Sequence, residues 1–322
     1  MLLYKNFYLK GALILATIAV VGSLNIDIVM RAPYFPTRGE TLIGDSFGVA
    51  GGGKGFNQAL AAARLNADSY MIGCIGDDDF GYRLRSILVE NRVDCGLLKV
   101  HKGVATGTAL ITVVGSGEHS IIISQGANAL LNQNDISNAK KIFKEADCVL
   151  FQMETPPKTV TAGLKTARLA GCKTFLSAEP PFSLPNEAWE NIDYMILNEN
   201  ALNFYAGTSR HKTIDKMSEE ILKRGVKNLI VTQSAKGGKV FTHDENFNYE
   251  AFNIRAIDNT GARDAFCSGL SVGLSEGMPL KAAVKFASAC GALACTQMGA
   301  HPSLPWRHQV GALLGESSAE FE

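Results

Sequence analysis

Short apolar runs alternate with helical patterns through the middle of the chain. Strands are predicted where a short apolar run ends at polar residues, and helices where apolar residues recur every three or four positions. The predicted strands here are 148–153, 173–177, 194–197 and 228–232, and the predicted helices include 158–170 and 201–206. Strands that alternate with helices predict a parallel sheet with helices on both faces.

The pattern continues towards both ends of the chain. Residues 16–23 (ATIAVVGS) are rich in β-branched side chains and predict a buried first strand, and residues 69–76 (SYMIGCIG) predict another. The last third is helical, with predicted helices at 263–277, 280–297 and 306–314. The chain is thus expected to be α/β, with a central, mostly parallel sheet flanked by helices.

Two regions depart from this pattern. Residues 33–49 are short β-type runs broken by prolines and glycines, and 106–114 and 119–124 flank a Gly-Ser-Gly turn typical of a hairpin. We assign both to a small β-sheet lid, formed by about 33–49 and 97–124, on a single α/β domain spanning 15–322. Residues 1–14 are interpreted as an N-terminal extension of unknown role.

Polar residues recur where the predicted strands end. They are Asp27, Glu154, Ser177, Asn198 and Thr232. Ligands of open α/β sheets bind at the carboxyl ends of the strands, so this recurrence predicts the edge of an active-site crevice. Asn25 and Asp27 are also common turn residues, and this alternative stays open at this point.

Charge and cysteine content exclude several classes of protein. The 322 residues carry 31 Lys plus Arg and 31 Asp plus Glu, and this balance argues against a nucleic-acid or anionic-membrane partner. The seven cysteines are scattered without a CxxC pair, which is typical of reduced core residues and a cytosolic protein. Residues 11–22 superficially resemble a signal peptide, but a buried strand explains them at least as well. No other run is long enough to span a membrane.

The segment 258–269 (DNTGARDAFCSG) combines a polar, glycine-containing turn with the start of an apolar helix. A helix start presents unpaired backbone N–H groups and the positive end of the helix dipole, which suits a phosphate. Asp264 would lie at the mouth of this site, where its carboxylate could accept a proton. Phosphoryl transfer is one interpretation, and ordinary helix capping is the other.

A second glycine-rich segment, GGGKGFN at 51–57, precedes an alanine-rich helical run. It is not a P-loop, because Lys54 is followed by Gly, and it lacks the third glycine of a dinucleotide fingerprint. Lys54 and Asn57 could donate hydrogen bonds to a sugar, although a simple tight turn is the alternative. The acidic run at 77–79 is interpreted as a helix N-terminus in preference to a metal site.

In combination, these segments closely resemble the PfkB carbohydrate kinase family. The resemblance extends from about residue 18 to residue 314. The segments that carry it are GSLNID (22–27), GET (39–41), GGKGFNQ (52–58), GDD (76–78), GAN (126–128), QME (152–154), DNTGARD (258–264) and GAHPS (299–303). The glycine-rich signature and the downstream D-x-x-G-A-x-D are specific together, and neither would be on its own.

The resemblance implies a ribokinase-like fold and transfer of the ATP γ-phosphoryl group to a primary hydroxyl of a pentose, D-ribose above all, to give ribose 5-phosphate. It further implies Mg²⁺ and K⁺ as cofactors and a homodimer built through the lids. The implied acceptor-binding residues are Asn25, Asp27, Gly53, Lys54, Asn57 and Glu154. The implied catalytic residues are the base Asp264 and an anion hole formed by the backbone of Gly261, Ala262 and Arg263. The implied nucleotide-binding residues are Asn198, Thr232, Gln233, Lys236 and Gly237, and the implied monovalent-cation site contains Asp258, Gly299 and Ser303.

Four departures from the family pattern all fall on the nucleotide side. Arg263 stands where the family usually has glycine, and Ala201 stands at the glutamate of an N-x-x-E motif that organises Mg²⁺. Ser234 lies in a nucleotide loop that is usually T-x-G-S-x-G, and the usual N-P-A-P is replaced by a segment that contains Ser177 and Glu179.

These departures leave two hypotheses. One is an active kinase in which Arg263 offsets Glu179 and Mg²⁺ binds through other groups. The other is a sugar-binding regulatory protein with impaired kinase activity. Phe56, in the glycine-rich signature, is bulky and could tune the choice between ribose, another pentose and a nucleoside.

Overall fold

The computed structural model describes residues 15–207 and 213–315, so the extension assigned to residues 1–14 lies outside the described residues. The strands are β1 (Thr17–Val21), β2 (Asn25–Ala32), β3 (Ser46–Gly52), β4 (Asp68–Gly76), β5 (Leu98–His101), β6 (Gly107–Val114), β7 (His119–Ser124), β8 (Cys148–Gln152), β9 (Lys173–Ser177), β10 (Tyr194–Asn198), β11 (Asn228–Thr232), β12 (Gly238–Thr242) and β13 (Asn246–Tyr249). The α-helices are α1 (Lys54–Arg64), α2 (Asp79–Glu90), α3 (Gln133–Asn138), α4 (Lys140–Glu145), α5 (Pro157–Leu169), α6 (Asn186–Trp189), α7 (Glu199–Ala206), α8 (Ile214–Lys223), α9 (Ala262–Ser275), α10 (Leu280–Ala294), α11 (Ala300–Ser303) and α12 (Arg307–Leu314).

The large sheet confirms the predicted architecture. Its strand order is β13-β12-β11-β10-β9-β8-β1-β4-β5, and all neighbours from β11 to β5 pair in parallel. The β12–β13 hairpin, which we did not predict from the sequence, adds two antiparallel strands at one edge. Helix α8 was also missed, although its apolar residues Met217 and Ile221 are spaced as in an amphipathic helix.

Helices cover both faces of the large sheet because its strands are apolar on both sides. In β1, Ile18 and Val20 pack into the core that contains α1, α9 and α10. Ala19 and Val21, which point to the opposite face, pack into the core that contains α5, α7 and α8. Burial on both faces is the physical reason for the continuous apolar runs in the sequence.

The small sheet has four strands in the order β3-β2-β6-β7. The predicted hairpin is confirmed, because β6 and β7 pair antiparallel from Thr108–Ser124 to Val113–His119. The strands of the small sheet differ from the limits predicted for the lid. Residues 25–32 form the inner strand β2, although the sequence places Asn25 and Asp27 at a strand end or turn, and no strand lies between residues 33 and 45. Prolines at 33 and 36 lack the N–H that a sheet ladder needs.

Two further segments near the lid are settled by the structure. Strand β5, within the range assigned to the lid, pairs instead with β4 at the edge of the large sheet. The acidic run caps a helix as predicted, since the Asp78 side chain accepts hydrogen bonds from the backbone N–H groups of Gly81 and Thr106 at 2.8 Å each. Within the described ranges, no cluster of three or more His, Cys, Asp or Glu side chains could hold a metal ion.

The cysteines and the hydropathy of the helices agree with the composition. All seven cysteines are free thiols, and six of them are buried. Burial raises the pKa of several of these thiols, for example Cys74 and Cys172 to about 12 each, which makes them unreactive core residues. Among residues 15–207 and 213–315, the helices are too short or too polar to cross a bilayer.

Candidate active site

A cleft of about 960 Å³ lies between the carboxyl ends of the large-sheet strands and the inner face of the small sheet. The residues assigned to the acceptor all line it: Asn25, Asp27, Gly53, Lys54, Asn57 and Glu154. The start of α9 lines the same cleft with Gly261, Ala262, Arg263 and Asp264. Two motifs that are far apart in the sequence therefore meet in one cavity, since Asn57 and Asp264 are 207 positions apart.

Asp264 is buried at the third position of α9, and its carboxylate is held by two side chains of α1. Asn57 Nδ2 donates to Oδ2 at 3.0 Å, and Gln58 Nε2 donates to Oδ1 at 2.9 Å. Burial raises the pKa of Asp264, while the charge of Lys54 and these two hydrogen bonds oppose the rise. A raised pKa makes the carboxylate a better proton acceptor.

Gln58 is in turn oriented by a residue that the sequence analysis had not assigned to the site. Gln152, at the end of β8, donates through Nε2 to Gln58 Oε1 at 2.7 Å. This contact fixes which way the Gln58 amide points and so presents its Nε2 to Asp264. Gln152 belongs to the QME segment, so its position beside Glu154 was a signal that could have identified it.

Asp27 lies near two other carboxylates. Burial, together with the negative charges of Glu154 and Asp264, raises the pKa of Asp27 to about 7, and the charge of Lys54 opposes this. Asp27 reaches this position because Gly52 on the neighbouring strand has no side chain; a Cβ there would lie 2.2 Å from Asp27 Oδ2. The cleft thus concentrates negative charge around one lysine.

The remaining acceptor-side groups are fixed by short hydrogen bonds. Glu154 Oε2 accepts from the Ser23 hydroxyl at 2.5 Å and from the backbone N–H of Lys54 at 3.0 Å. Asn25 Oδ1 accepts from Asn128 Nδ2 at 2.8 Å, and Asn128 is itself held by both backbone groups of Leu24. Both carboxylate and amide are therefore held in position before any ligand binds.

The start of α9 forms an amide cradle. Gly261, the residue before the helix, has φ +80°, a conformation that favours glycine. The Ala262 N–H donates to the Asn259 carbonyl at 3.2 Å, so it is partly occupied. In the described part of the chain, no acceptor faces the backbone N–H groups of Gly261, Arg263 and Asp264, which are the donors free to bind an anion.

The residues assigned to the nucleotide are only partly in the cleft. Thr232 and Gly237 line it, together with Ser234, whereas Asn198, Gln233 and Lys236 do not. The Asn198 side chain instead caps α7 by accepting from the Ala201 N–H at 2.7 Å. Glu199 Oε1, also on α7, accepts from Gln233 Nε2 at 2.8 Å.

The residues assigned to the monovalent cation lie behind the cradle. Asp258 accepts from the Thr260 N–H at 2.9 Å and from the Gly299 N–H at 2.8 Å, so it joins two turns. Burial raises the pKa of Asp258, but the hydrogen bonds from Thr260 and Gly299 outweigh it and the net pKa is lowered. The Ser303 hydroxyl donates to the Ala300 carbonyl at 2.8 Å. The three residues thus share one corner of the site.

Two of the departures from the family pattern contact each other. Arg263 Nη1 pairs with Glu179 Oε2, although the two residues are 84 positions apart in the sequence. Both side chains line the cleft. The pairing agrees with the hypothesis that Arg263 offsets Glu179.

Phe56 does not occupy the place we expected. Its side chain is fully buried, lies outside the cleft lining and packs edge-on against His301 at a centroid distance of 6.0 Å. Lys54 and Asn57, three positions apart on α1, share the face that lines the cleft, and Phe56 lies on another face that packs into the core. Phe56 is therefore not in a position to select the acceptor by contact.

Much of the opposite wall was missed by sequence reasoning. It includes Phe252, Asn253 and Ile254, in the loop that precedes α9, and Ala292 and Cys295, at the end of α10. These residues carry no motif and only tertiary packing brings them to the cleft. Most are apolar, as expected for the wall of a small-molecule site.

Comparisons with known proteins agree with this geometry. Residues 15–307 match the model of the pfkB family carbohydrate kinases. The chain is similar to the ribokinase of Haemophilus influenzae, at 33% identity over 296 residues that cover 91% of this chain and 97% of the relative. Among solved structures, it resembles ribokinase from Thermotoga maritima (TM-score 0.86, 32% identity, 94% of this chain and 100% of that one). It also resembles the Arabidopsis thaliana ribokinase complexed with ribose and ATP (TM-score 0.87, 29% identity, 94% and 100% coverage). The chain belongs to the pfkB family of carbohydrate kinases.

Proposed function

We propose that the protein transfers the γ-phosphoryl group of ATP to the primary hydroxyl of D-ribose, giving ribose 5-phosphate and ADP. The observation that carries the proposal is the position of Asp264. Its buried carboxylate lies in one cleft with the amide cradle of α9 and the polar acceptor-side residues Asp27, Asn57 and Glu154. The similarity to ribokinases supports ribose as the acceptor.

In the proposed reaction, Asp264 accepts the proton of the attacking hydroxyl as the new O–P bond forms and the bond to the ADP oxygen breaks. The free N–H groups of Gly261, Arg263 and Asp264 stabilise the negative charge on the transferred phosphoryl group. The acceptor hydroxyls are held by Asp27, Glu154 and the Lys54 ammonium. The small sheet covers the cleft and excludes water that would compete as acceptor.

A nucleotide-bound Mg²⁺ would be held mainly by the nucleotide itself. Mg²⁺ is usually held by one or two carboxylates together with substrate phosphates and water. The glutamate expected at position 201 is missing, and both oxygens of Glu179 already accept hydrogen bonds, one from Arg263 and the other from the Asn198 N–H at 3.2 Å. We infer that the nucleotide phosphates and water would supply most ligands of the ion, which would neutralise phosphate charge when bound.

We further propose K⁺ as a structural activator beside the cradle. Asp258, which accepts from the Gly299 N–H at 2.8 Å, supplies a carboxylate, an oxygen ligand of the kind that hard cations prefer. Since Asp258 also fixes the turn that leads into Gly261, an ion there would stabilise the cradle. Replacing K⁺ by Na⁺ at constant ionic strength should lower turnover.

A homodimer formed through the small sheets is proposed from an exposed strand. Every residue of the edge strand β7 is exposed, including Ile121, Ile122 and Ile123. An apolar edge strand invites pairing with another sheet. Light scattering should give twice the mass of the 34.5 kDa chain.

The free thiols also suit a reducing compartment, and we propose the cytosol.

The experiment that tests the proposed function is a coupled ADP-release assay with Mg²⁺-ATP and K⁺ across ribose, deoxyribose, fructose and ribonucleosides. Calorimetric binding of ribose and of ATP is measured separately. Ribose should give the highest kcat/KM. Ribose binding without turnover and without ATP binding would contradict the proposal and favour the sugar-binding regulatory protein.

A further inference from the structure

The Arg263–Glu179 ion pair joins the start of α9 to the segments that follow β9 and β10. Arg263 is the second residue of α9, next to the base, and Glu179 follows β9. One oxygen of Glu179 accepts from Arg263, and the other accepts from the Asn198 N–H at the end of β10. The guanidinium is thereby fixed at the mouth of the amide cradle instead of extending into solvent.

The pair is largely buried but incompletely satisfied. The side chains are 27% (Arg263) and 12% (Glu179) exposed, so forming the pair requires desolvation of both charges. A guanidinium has five N–H donors. Arg263 Nε is buried and, within residues 15–207 and 213–315, has no hydrogen-bond partner. An arginine held in this way retains donors for a further anion.

The distribution of charged side chains in the cleft indicates which anion Arg263 would bind. Among the described residues, four carboxylates line it (Asp27, Glu154, Glu179 and Asp264), against the two cationic side chains of Lys54 and Arg263. Lys54 lies on the acceptor side, where it acts on Asp27 and Asp264. Arg263 is thus the cation beside the cradle, where a transferred phosphoryl group would gather negative charge.

We propose that Arg263 is a phosphoryl-binding residue of this chain, whose guanidinium, positioned by Glu179, donates hydrogen bonds to the terminal phosphoryl group of a nucleoside triphosphate. This inference rests on the proposed kinase function. Arginine suits the role because its planar fork matches phosphate oxygens, and an arginine at the transferred group stabilises the charge of the transition state. Glu179 is the positioning residue, and a bound phosphoryl group competes with it for the guanidinium.

The proposal predicts opposite effects for the two partners of the pair. We would measure by calorimetry, with Mg²⁺ present, the affinity for AMP-PNP, which has a γ-phosphoryl group, and the affinity for ADP, which has none. Arg263→Ala should weaken AMP-PNP binding roughly tenfold or more, the value of a charge-assisted hydrogen bond, and ADP binding much less. Glu179→Gln, which removes the competing charge and one of the two accepting oxygens but keeps the size of the side chain, should bind AMP-PNP at least as tightly as the original protein.

Thermal unfolding, together with a control variant in a distant ion pair, separates phosphoryl binding by Arg263 from a purely structural role. Arg307 pairs with Glu276 through two 2.8 Å contacts, and both are about as buried as the pair in the cleft, so Arg307→Ala serves as the matched control. It should lower Tm without changing either nucleotide affinity. A merely structural Arg263–Glu179 pair would weaken AMP-PNP and ADP equally in both single variants.

Three results would overturn the inference. The first is an equal loss of affinity for AMP-PNP and ADP in Arg263→Ala. The second is tighter AMP-PNP binding in that variant, which would show that the arginine side chain obstructs the site. The third is the absence of nucleotide binding by the original protein. A failure of the proposed function gives a different result. If the original protein binds AMP-PNP through Arg263 but does not phosphorylate ribose, the role of Arg263 stands and only ribose is excluded as the acceptor.

Discussion

The acceptor half and the phosphate half of the cleft are built differently. On the acceptor half, which comprises Asn25, Asp27, Lys54, Asn57 and Glu154, residues of the family motifs fix one another, as Ser23 and the Lys54 N–H fix Glu154. On the phosphate half, two departures from the family pattern, Arg263 and Glu179, are distant in sequence and pair with each other. Residues that depart from a family pattern one at a time can thus form a direct contact once the fold brings them together.

The largest effect is expected where the two halves meet, at Asp264. Asp264→Asn removes the proton acceptor and should lower kcat by about 100- to 10,000-fold, the usual contribution of a general base. Ribose binding should change little, because Asn57 Oδ1, buried and without a partner among the described residues, can turn towards the new amide. The ADP-release assay measures the first effect and ribose calorimetry the second.

If kcat were unchanged by the substitution, Asp264 would not be the general base that serves both the acceptor half and the phosphate half. If ribose binding were lost as well, the variant would have disturbed the acceptor half, and the drop in kcat could not be assigned to proton transfer.

A smaller effect, confined to the acceptor half, is expected from pH. Because burial and the charges of Glu154 and Asp264 raise the pKa of Asp27 to about 7, this carboxyl is largely protonated at lower pH. Raising the pH ionises it and makes it a stronger acceptor for sugar hydroxyls. The KM for ribose should therefore fall roughly tenfold between about pH 6 and about pH 8, as the ionised fraction rises.

Asp27→Asn provides the control for this pH dependence. The variant cannot ionise at this position, so its KM for ribose should be higher and nearly flat over the same range. A variant that kept the original slope would show that another group facing the site, such as Asp264, causes the titration.

A further test concerns the support of the acceptor half. Asn128→Ala removes the hydrogen bonds that hold Asn25 and Leu24, and it leaves buried polar groups without partners. We expect a loss of about 1–3 kcal/mol in stability and a several-fold higher KM for ribose. Asn91→Ala, which removes a hydrogen-bonded asparagine at the end of α2, should cost stability without changing KM.

The smallest effect on acceptor choice is expected at Phe56. Phe56→Leu retains an apolar side chain in the core and should cost less than about 1.5 kcal/mol in unfolding free energy. The ratio of kcat/KM for ribose to that for fructose should not change. A changed ratio would mean that the packing of Phe56 against His301 reaches the acceptor half indirectly.

The sequence alone determined the α/β architecture and most of the acceptor half. Short strands with an apolar centre, such as β9 and β11, are recognisable because both faces of the sheet are buried, and their predicted limits match the structure. Lys54, Asn57 and Asp264 were selected because the two glycine-containing segments together match the family pattern, although each segment alone also suits a turn or a helix cap. These features are local, so a single stretch of residues carries them.

Only the tertiary structure decided how distant segments combine. It made residues 25–32 an inner strand of the small sheet, because β3 and β6 supply partners from elsewhere in the chain. It turned Phe56 into the core and brought Gln152 to Gln58, two facts set by packing. It also paired Arg263 with Glu179, since the energy of a buried charge depends on which group lies beside it, and this is not encoded at either position alone.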